Sequence, residues 1–242
     1  LVLPIHTFAT TTLDLEWSRP EPFPPDFIRT ESISRQVGNY PHCLSTLLSR
    51  APEAADLPRY LREHIEWGMR MVHEIGRGGP NHYRPGTFPL ERMVFACGYG
   101  EPDTAVHEYW SETPAAACSQ DNVKWLVLAR PKHKDVLLVL ASWSPEAVDA
   151  AVTLDPKVIG FDLPPVATEL FTMQTLPIKG NRVNVPVPAP FGCRVVRFTA
   201  DPLQPAEALM YDDFSDGMDL RWDSLRQDTH LLAGEGGNTV LR

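Results

Sequence analysis

The chain has 242 residues, room for one large domain or roughly two to three small ones, and its 43% hydrophobic and 22% charged residues with a mean hydropathy of −0.21 are an ordinary soluble globular balance. No run approaches the ~20 apolar residues of a membrane-crossing helix, which excludes such a span. The net charge is −9, the pI is about 5.3, and no Lys/Arg cluster is present, so a phosphate-tracking surface is absent and nucleic acid is a poor partner.

The 24 prolines are spread along the chain and favour turns over long regular helices. Cys43, Cys97, Cys118 and Cys193 lack CxxC spacing, so a paired zinc motif is absent. They read as free buried thiols; a Cys97–Cys118 disulfide is the alternative, and spacing does not decide between them. The compartment stays open, a secreted or periplasmic location included.

Leu1-Val2-Leu3 is too short for a signal h-region and reads as the tail of a buried strand entered from upstream. Residues 5–12 are β-prone. Leu13-Asp14-Leu15-Glu16-Trp17 alternates, which puts Asp14 and Glu16 on one face of an extended segment. A proline-dense loop follows at Pro20, Pro22, Pro24 and Pro25, then a polar stretch, Thr30 to Gly38, suited to a site rim or to plain surface.

Residues 57–75 form the one convincing helix, with Leu57, Leu61, Ile65, Met69 and Val72 in an i, i+4 rhythm. Asp56 is its expected N-cap and Gly76 its expected stop. His64 and His73 are more than two turns apart on it, too far to share a metal. Residues 76–86 read as a Gly/Pro loop.

From 118 onward the pattern changes. Strands are expected at 123–129 and 136–142 around a charged hairpin, then at 147–154, 166–171, 183–187 and 193–199. Short strands at such spacing with turn residues between them signal an antiparallel sandwich. Residues 201–205 read as a linker. The closing run, Tyr211-Asp212-Asp213-Phe214 onward, reads as the opening of a further β unit with no downstream partners. The expectation is an interior slice of a longer protein.

The stretch 136–199 resembles the C-terminal β-sandwich that follows the (β/α)8 barrel in many glycoside hydrolases. Ala141-Ser142-Trp143-Ser144, Leu154-Asp155, Gly160 and Pro190-Phe191-Gly192 fill its recurring positions, with Ser142 where that family usually has Asn. Upstream, Leu13 to Glu16, Arg35 to Gly38, Gly68 to Ile75, Tyr99-Gly100 and Tyr109-Trp110 look like the last strands and loops of such a barrel. Residues 207–242 resemble the start of a concanavalin-like jelly roll. The resemblance implies three units: 1–117 as the barrel end, 118–201 as the sandwich and 207–242 as a truncated jelly roll. It also implies a carbohydrate partner and hydrolysis by paired carboxylates, with no cofactor and no metal.

Asp14 and Glu16 are the carboxylates nominated for catalysis. At i and i+2 on a strand their Cα atoms stand about 6.5–7 Å apart, compatible with the carboxyl separations that glycoside hydrolysis uses. The competing reading makes both solvated, or paired with Arg19 or Arg35. Trp17, Arg35, Gln36 and His82 are nominated to bind substrate: an aromatic platform, a fork-like donor, an amide and a polar contact. The bland counterparts are packing for Trp17, an ion pair with Glu31 for Arg35, and plain surface for His82. Trp143 reads as packing. Asp212, Asp213 and Asp216 are either calcium ligands or a solvated acidic turn. GxSxG, Walker A, GxGxxG and HExxH are absent, so serine-hydrolase, nucleotide-binding and zincin chemistry have no support. The alternative to an enzyme is a non-catalytic carbohydrate-binding or cell-surface protein with a degenerate barrel.

Overall fold

A computed structural model describes residues 11–14, 22–32, 40–43, 47, 52–57, 59–77, 88–203, 231–233 and 239–241. The N-terminal part alternates strands and helices: β1 (Thr11–Asp14), α1 (Pro25–Ser32), β2 (Tyr40–Cys43), a 3-10 turn (Pro52–Ala54), α2 (Arg59–Met71), β3 (Gly76–Arg77) and α3 (Phe88–Ala96). The three strands lie side by side in chain order and both pairings are parallel. Parallel neighbours need a crossover, and the helices supply it. The three parallel strands among the described residues are not the eight of a full barrel.

The helices depart from expectation at their ends. α1 begins where a proline-dense loop was expected, and it takes in Thr30, Glu31 and Ser32. Pro25 is its first residue, where a missing N–H costs nothing and the fixed φ suits the helix. α2 starts at Arg59, and Asp56 stays in the preceding turn rather than capping it. Gly76 does not end it either. Glu74 does, in the left-handed region at φ 56°. The Glu74 N–H reaches Met71 O and the Ile75 N–H reaches Arg70 O, both at 3.0 Å, a Schellman closure made without glycine. Gly76 instead enters β3. α3 closes in the same way on Gly98, at φ 88°.

The rest is antiparallel: β4 (Ala105–Glu108), β5 (Ala116–Cys118), β6 (Val123–Arg130), β7 (Asp135–Ser142), β8 (Val148–Leu154), a short helix α4 (Pro156–Ile159), β9 (Val166–Glu169), β10 (Gln174–Leu176), β11 (Ile178–Lys179), β12 (Arg182–Val187) and β13 (Cys193–Thr199). They form a six-stranded sheet, β10-β9-β13-β7-β6-β4, and a four-stranded sheet, β11-β12-β8-β5. β4 and β5, which begin ahead of the expected change of character at 118, thus pair into these sheets. Of residues 207–242, the described part is one antiparallel pair, β14 (Leu231–Ala233) with β15 (Thr239–Leu241).

The six-stranded sheet is covered on both faces. Val136, Leu138 and Leu140 share one apolar cluster with Val152, Leu154, Val183 and Val185 of the smaller sheet. Leu137, Val139 and Ala141 share the other with Ile65, Met69, Leu90 and Met93 of the helices. Every residue of β7 is therefore buried, which is why its sequence runs apolar without alternating. β12 has one wet face and alternates strictly. β9 stops at Glu169, two residues before the expected end, because the Glu169 carboxylate accepts the N–H groups of Phe171 and Thr172 at 3.0 and 2.9 Å and turns the chain. Cys97 and Cys118 are free and belong to different clusters, which rules out the Cys97–Cys118 disulfide here. No helix among the described residues is long and apolar enough to cross a membrane.

Candidate functional site

The parallel strands bring three strand ends to one edge. Asp14 pairs with Cys43, and Cys43 pairs with Arg77. Each is the last residue of its strand. Neighbouring strands are about 4.8 Å apart, so Asp14 and Arg77 flank Cys43 along the carboxyl edge, about 10 Å from each other through the backbone. The carboxyl edge is where parallel sheets with helical crossovers meet their ligands, because the loops that leave the strands open there.

Asp14 is thus placed at such an edge. Glu16, Trp17, Arg35, Gln36 and His82 lie outside the described residues. Glu16 and Trp17 follow Asp14 in the chain by two and three positions. Arg77 was not nominated from the sequence. Its strand is two residues long, too short to show any period. The only available signal was a glycine and a charged residue just after an apolar helix.

A second feature lies where the helices meet the six-stranded sheet. His73 is fully buried at the end of α2. Its Nδ1 is 2.7 Å from Met69 O, and its Nε2 is 3.0 Å from the Tyr109 hydroxyl. A carbonyl only accepts, so Nδ1 carries the proton and Nε2 accepts from Tyr109. The imidazole stacks on Trp110 and meets Trp143 edge-on, with ring centroids 5.8 and 5.7 Å away. Burial lowers its pKa from 6.5 to about 4, against the Met69 hydrogen bond that works to raise it. The ring is therefore neutral near pH 7. Burial also pushes the Tyr109 phenol well above its usual range, so it stays a donor. The Trp143 indole N–H donates to Phe23 O at 2.7 Å. These groups are locked to one another where the helices meet the six-stranded sheet; His73 is buried and the three aromatic rings around it are partly buried.

A shallow depression of about 220 Å³ on the antiparallel part is lined by Val148, Asp149, Pro186, Val187 and Arg194 among others. The Arg194 guanidinium already donates to Cys193 O at 3.0 Å and stands 4.0 Å from Glu169. This cation is engaged by its own sheet.

No protein-family model and no curated protein matches the chain. Among solved structures it is similar to the GH27 β-L-arabinopyranosidase from Geobacillus stearothermophilus, at 10% identity and a TM-score of 0.44, covering 79% of this chain and 45% of that one. It is also similar to α-galactosidase I from Mortierella vinacea, at 11% identity and a TM-score of 0.43, covering 82% of this chain and 55% of that one. The chain spans about half the length of these two structures. Both neighbours are glycoside hydrolases by name, and neither likeness assigns a family.

Proposed function

We propose that the chain is part of a glycoside hydrolase whose substrate is a glycan or glycoside, with Asp14 and Glu16 as carboxylates of the reacting site. The observation that carries this reading is the position of Asp14. It ends β1 at the carboxyl edge of the parallel sheet, in register beside Cys43 and one strand from Arg77. The carboxyl edge of a parallel sheet with helical crossovers is where ligands of such folds are met, and this supports a role for Asp14. Glu16 follows it by two positions, and Trp17 supplies an aromatic face for a sugar ring. Arg35, Gln36 and His82 are assigned to hydrogen bonding with hydroxyl groups.

The same reading takes the three β–α units as the end of a (β/α)8 barrel, the paired antiparallel sheets as a β-sandwich, and residues 207–242 as the start of a jelly roll. Strand order supports it: three parallel neighbours in chain order are what a barrel wall requires, followed here by antiparallel pairing from Ala105 onward.

The test is turnover of a panel of aryl glycosides by the full-length natural protein. Asp14→Asn should lower kcat by about 10²–10⁴-fold, the usual worth of a positioned acid or base. A wild-type protein inert on the whole panel, or an Asp14→Asn protein as fast as the wild type, would sink the enzymatic reading. Glycan binding without any turnover would identify a carbohydrate-binding protein with a degenerate barrel.

A further inference from the structure

The hairpin between β6 and β7 turns through Pro131-Lys132-His133-Lys134, with Lys134 in the left-handed region at φ 48°. It lies against the turn that closes α3. The Arg130 side chain passes Gly98 so closely that a β-carbon on that glycine would stand 2.8 Å from the Arg130 Cδ and Nε. The buried Arg130 Nε makes no hydrogen bond. The guanidinium meets its neighbours through Nη2, which is 2.9 Å from His133 Nε2 and 3.7 Å from Asp103 Oδ1. The same His133 Nε2 is 3.1 Å from Asp103 Oδ2. Asp103 belongs to the turn after α3. In that turn the Glu101 N–H donates to Gly98 O at 2.9 Å and the Thr104 N–H to Glu101 O at 3.1 Å.

One ring nitrogen thus faces a donor and an acceptor together. A guanidinium only donates, and a carboxylate only accepts. Without a proton, the Nε2 lone pair takes the Arg130 hydrogen bond and repels Asp103. With a proton, Nε2 donates to Asp103 and repels Arg130. Neither state satisfies both contacts, so the proton selects the partner. Imidazole is the side chain that exchanges such a proton within the ordinary pH range. Lys132 and Lys134 flank the ring on its own hairpin, and Glu101 shares the turn of Asp103. Asp135, at the start of β7, is taken up by Arg197 of β13.

We propose that Asp103, His133 and Arg130 form a proton-operated tie between the helical and the antiparallel parts of the chain. In the neutral state His133 accepts from Arg130, and this hydrogen bond stays within the hairpin. In the protonated state His133 donates to Asp103, and a charge-assisted hydrogen bond crosses from the hairpin to the turn after α3. Acid therefore fastens the end of α3 to the six-stranded sheet. The Arg130 side chain, packed on Gly98, is the part displaced. The inference does not depend on the glycosidase reading.

The first test is the tautomer of neutral His133 in the full-length natural protein, read from its imidazole nitrogen-15 shifts above about pH 8. A ring protonated at Nδ1 is expected, because Nε2 must accept from Arg130. A neutral ring protonated at Nε2 would donate to Asp103 at every pH, and it overturns the proposal. The second test is Asp103→Asn. Loss of the carboxylate should lower the midpoint of the His133 titration by about half a pH unit; an unmoved midpoint overturns the proposal. In the wild type, amide protection over residues 98–104, taken relative to β6 and β7, should rise about two-fold between about pH 8 and about pH 5. That rise should be absent from Asp103→Asn, and an equal rise in both proteins overturns the proposal. If the variant loses protection of β6 and β7, the wild-type tautomer decides the matter.

Discussion

Gly68 of α2 lies directly against Cys193 of β13. A β-carbon added to Gly68 would overlap the Cys193 β-carbon and stand 3.2 Å from its sulfur. The Cys193 thiol donates to His64 O at 3.2 Å, one turn earlier on the same helix. The helix can approach the sheet this closely because position 68 has no side chain.

Two effects oppose each other in Gly68→Ala. Alanine gains about 0.5–1 kcal/mol of helix propensity. Overpacking against a covered sheet costs about 1–3 kcal/mol or more, and the overlap falls on a rigid β-carbon rather than on a flexible chain end. The variant should be less stable by about 1–2 kcal/mol, read as a lower urea midpoint. Cys193→Ala should not rescue it, because the overlapping atom remains.

His73 makes stability depend on acid. The folded chain holds the imidazole neutral until about pH 4, whereas an unfolded chain takes up the proton near pH 6.5. The contribution is complete above about pH 6.5 and is lost as the pH falls toward 4, by about 3 kcal/mol in all. Unfolding midpoints measured from pH 7 to pH 4 should show this loss. His73→Gln should be less stable at pH 7 but should lack that part of the slope; a slope unchanged by the substitution would remove His73 as its cause.

Asp135 and Arg197 form a two-pronged ion pair, Nε to Oδ1 at 3.0 Å and Nη2 to Oδ2 at 2.9 Å. It joins the first residue of β7 to β13. The Asp135 side chain is 9% exposed and that of Arg197 26%, between the surface case, worth under about 1 kcal/mol, and the buried case of about 3–5. Asp135→Ala should cost about 2 kcal/mol. The double variant with Arg197→Ala should cost less than the two single changes added together, because each single change strands a partner.

Burial pushes the thiols of Cys97 and Cys193 up to about 11 and about 12, and it raises that of the half-buried Cys118 as well. A thiolate is the reactive species, so Cys97 and Cys193 should resist a disulfide reagent in the native protein. Of these three thiols, Cys118 should label before Cys97 and Cys193, which follow only on unfolding. Labelling of Cys97, Cys118 and Cys193 at one rate in folded protein would contradict this packing.

Much of the antiparallel part was readable in advance. The continuous apolar run of β7, the alternation of β12 and the span of β13 are legible in the residues themselves. What escaped was short or depended on partners. β4, β5, β10 and β11 are two to four residues long, below the length at which a period of two can be told from chance. The end of α2 was placed at Gly76 because glycine suits a left-handed backbone, yet Glu74 adopts that conformation where packing and the Tyr99 hydroxyl, 3.3 Å from its carboxylate, hold it.

By itself the sequence determined where apolar surface must be hidden, and so where the longer antiparallel strands lie. It also singled out Asp14 as a carboxylate on an extended segment, because side-chain alternation is a local property of the chain. Only the tertiary structure decided that Asp14 ends a strand beside Cys43 and Arg77, and that Trp143 reaches back 120 positions to hold Phe23. Those relations depend on which strands pair and which faces meet. That choice is made by burying several elements at once, and no local pattern encodes it.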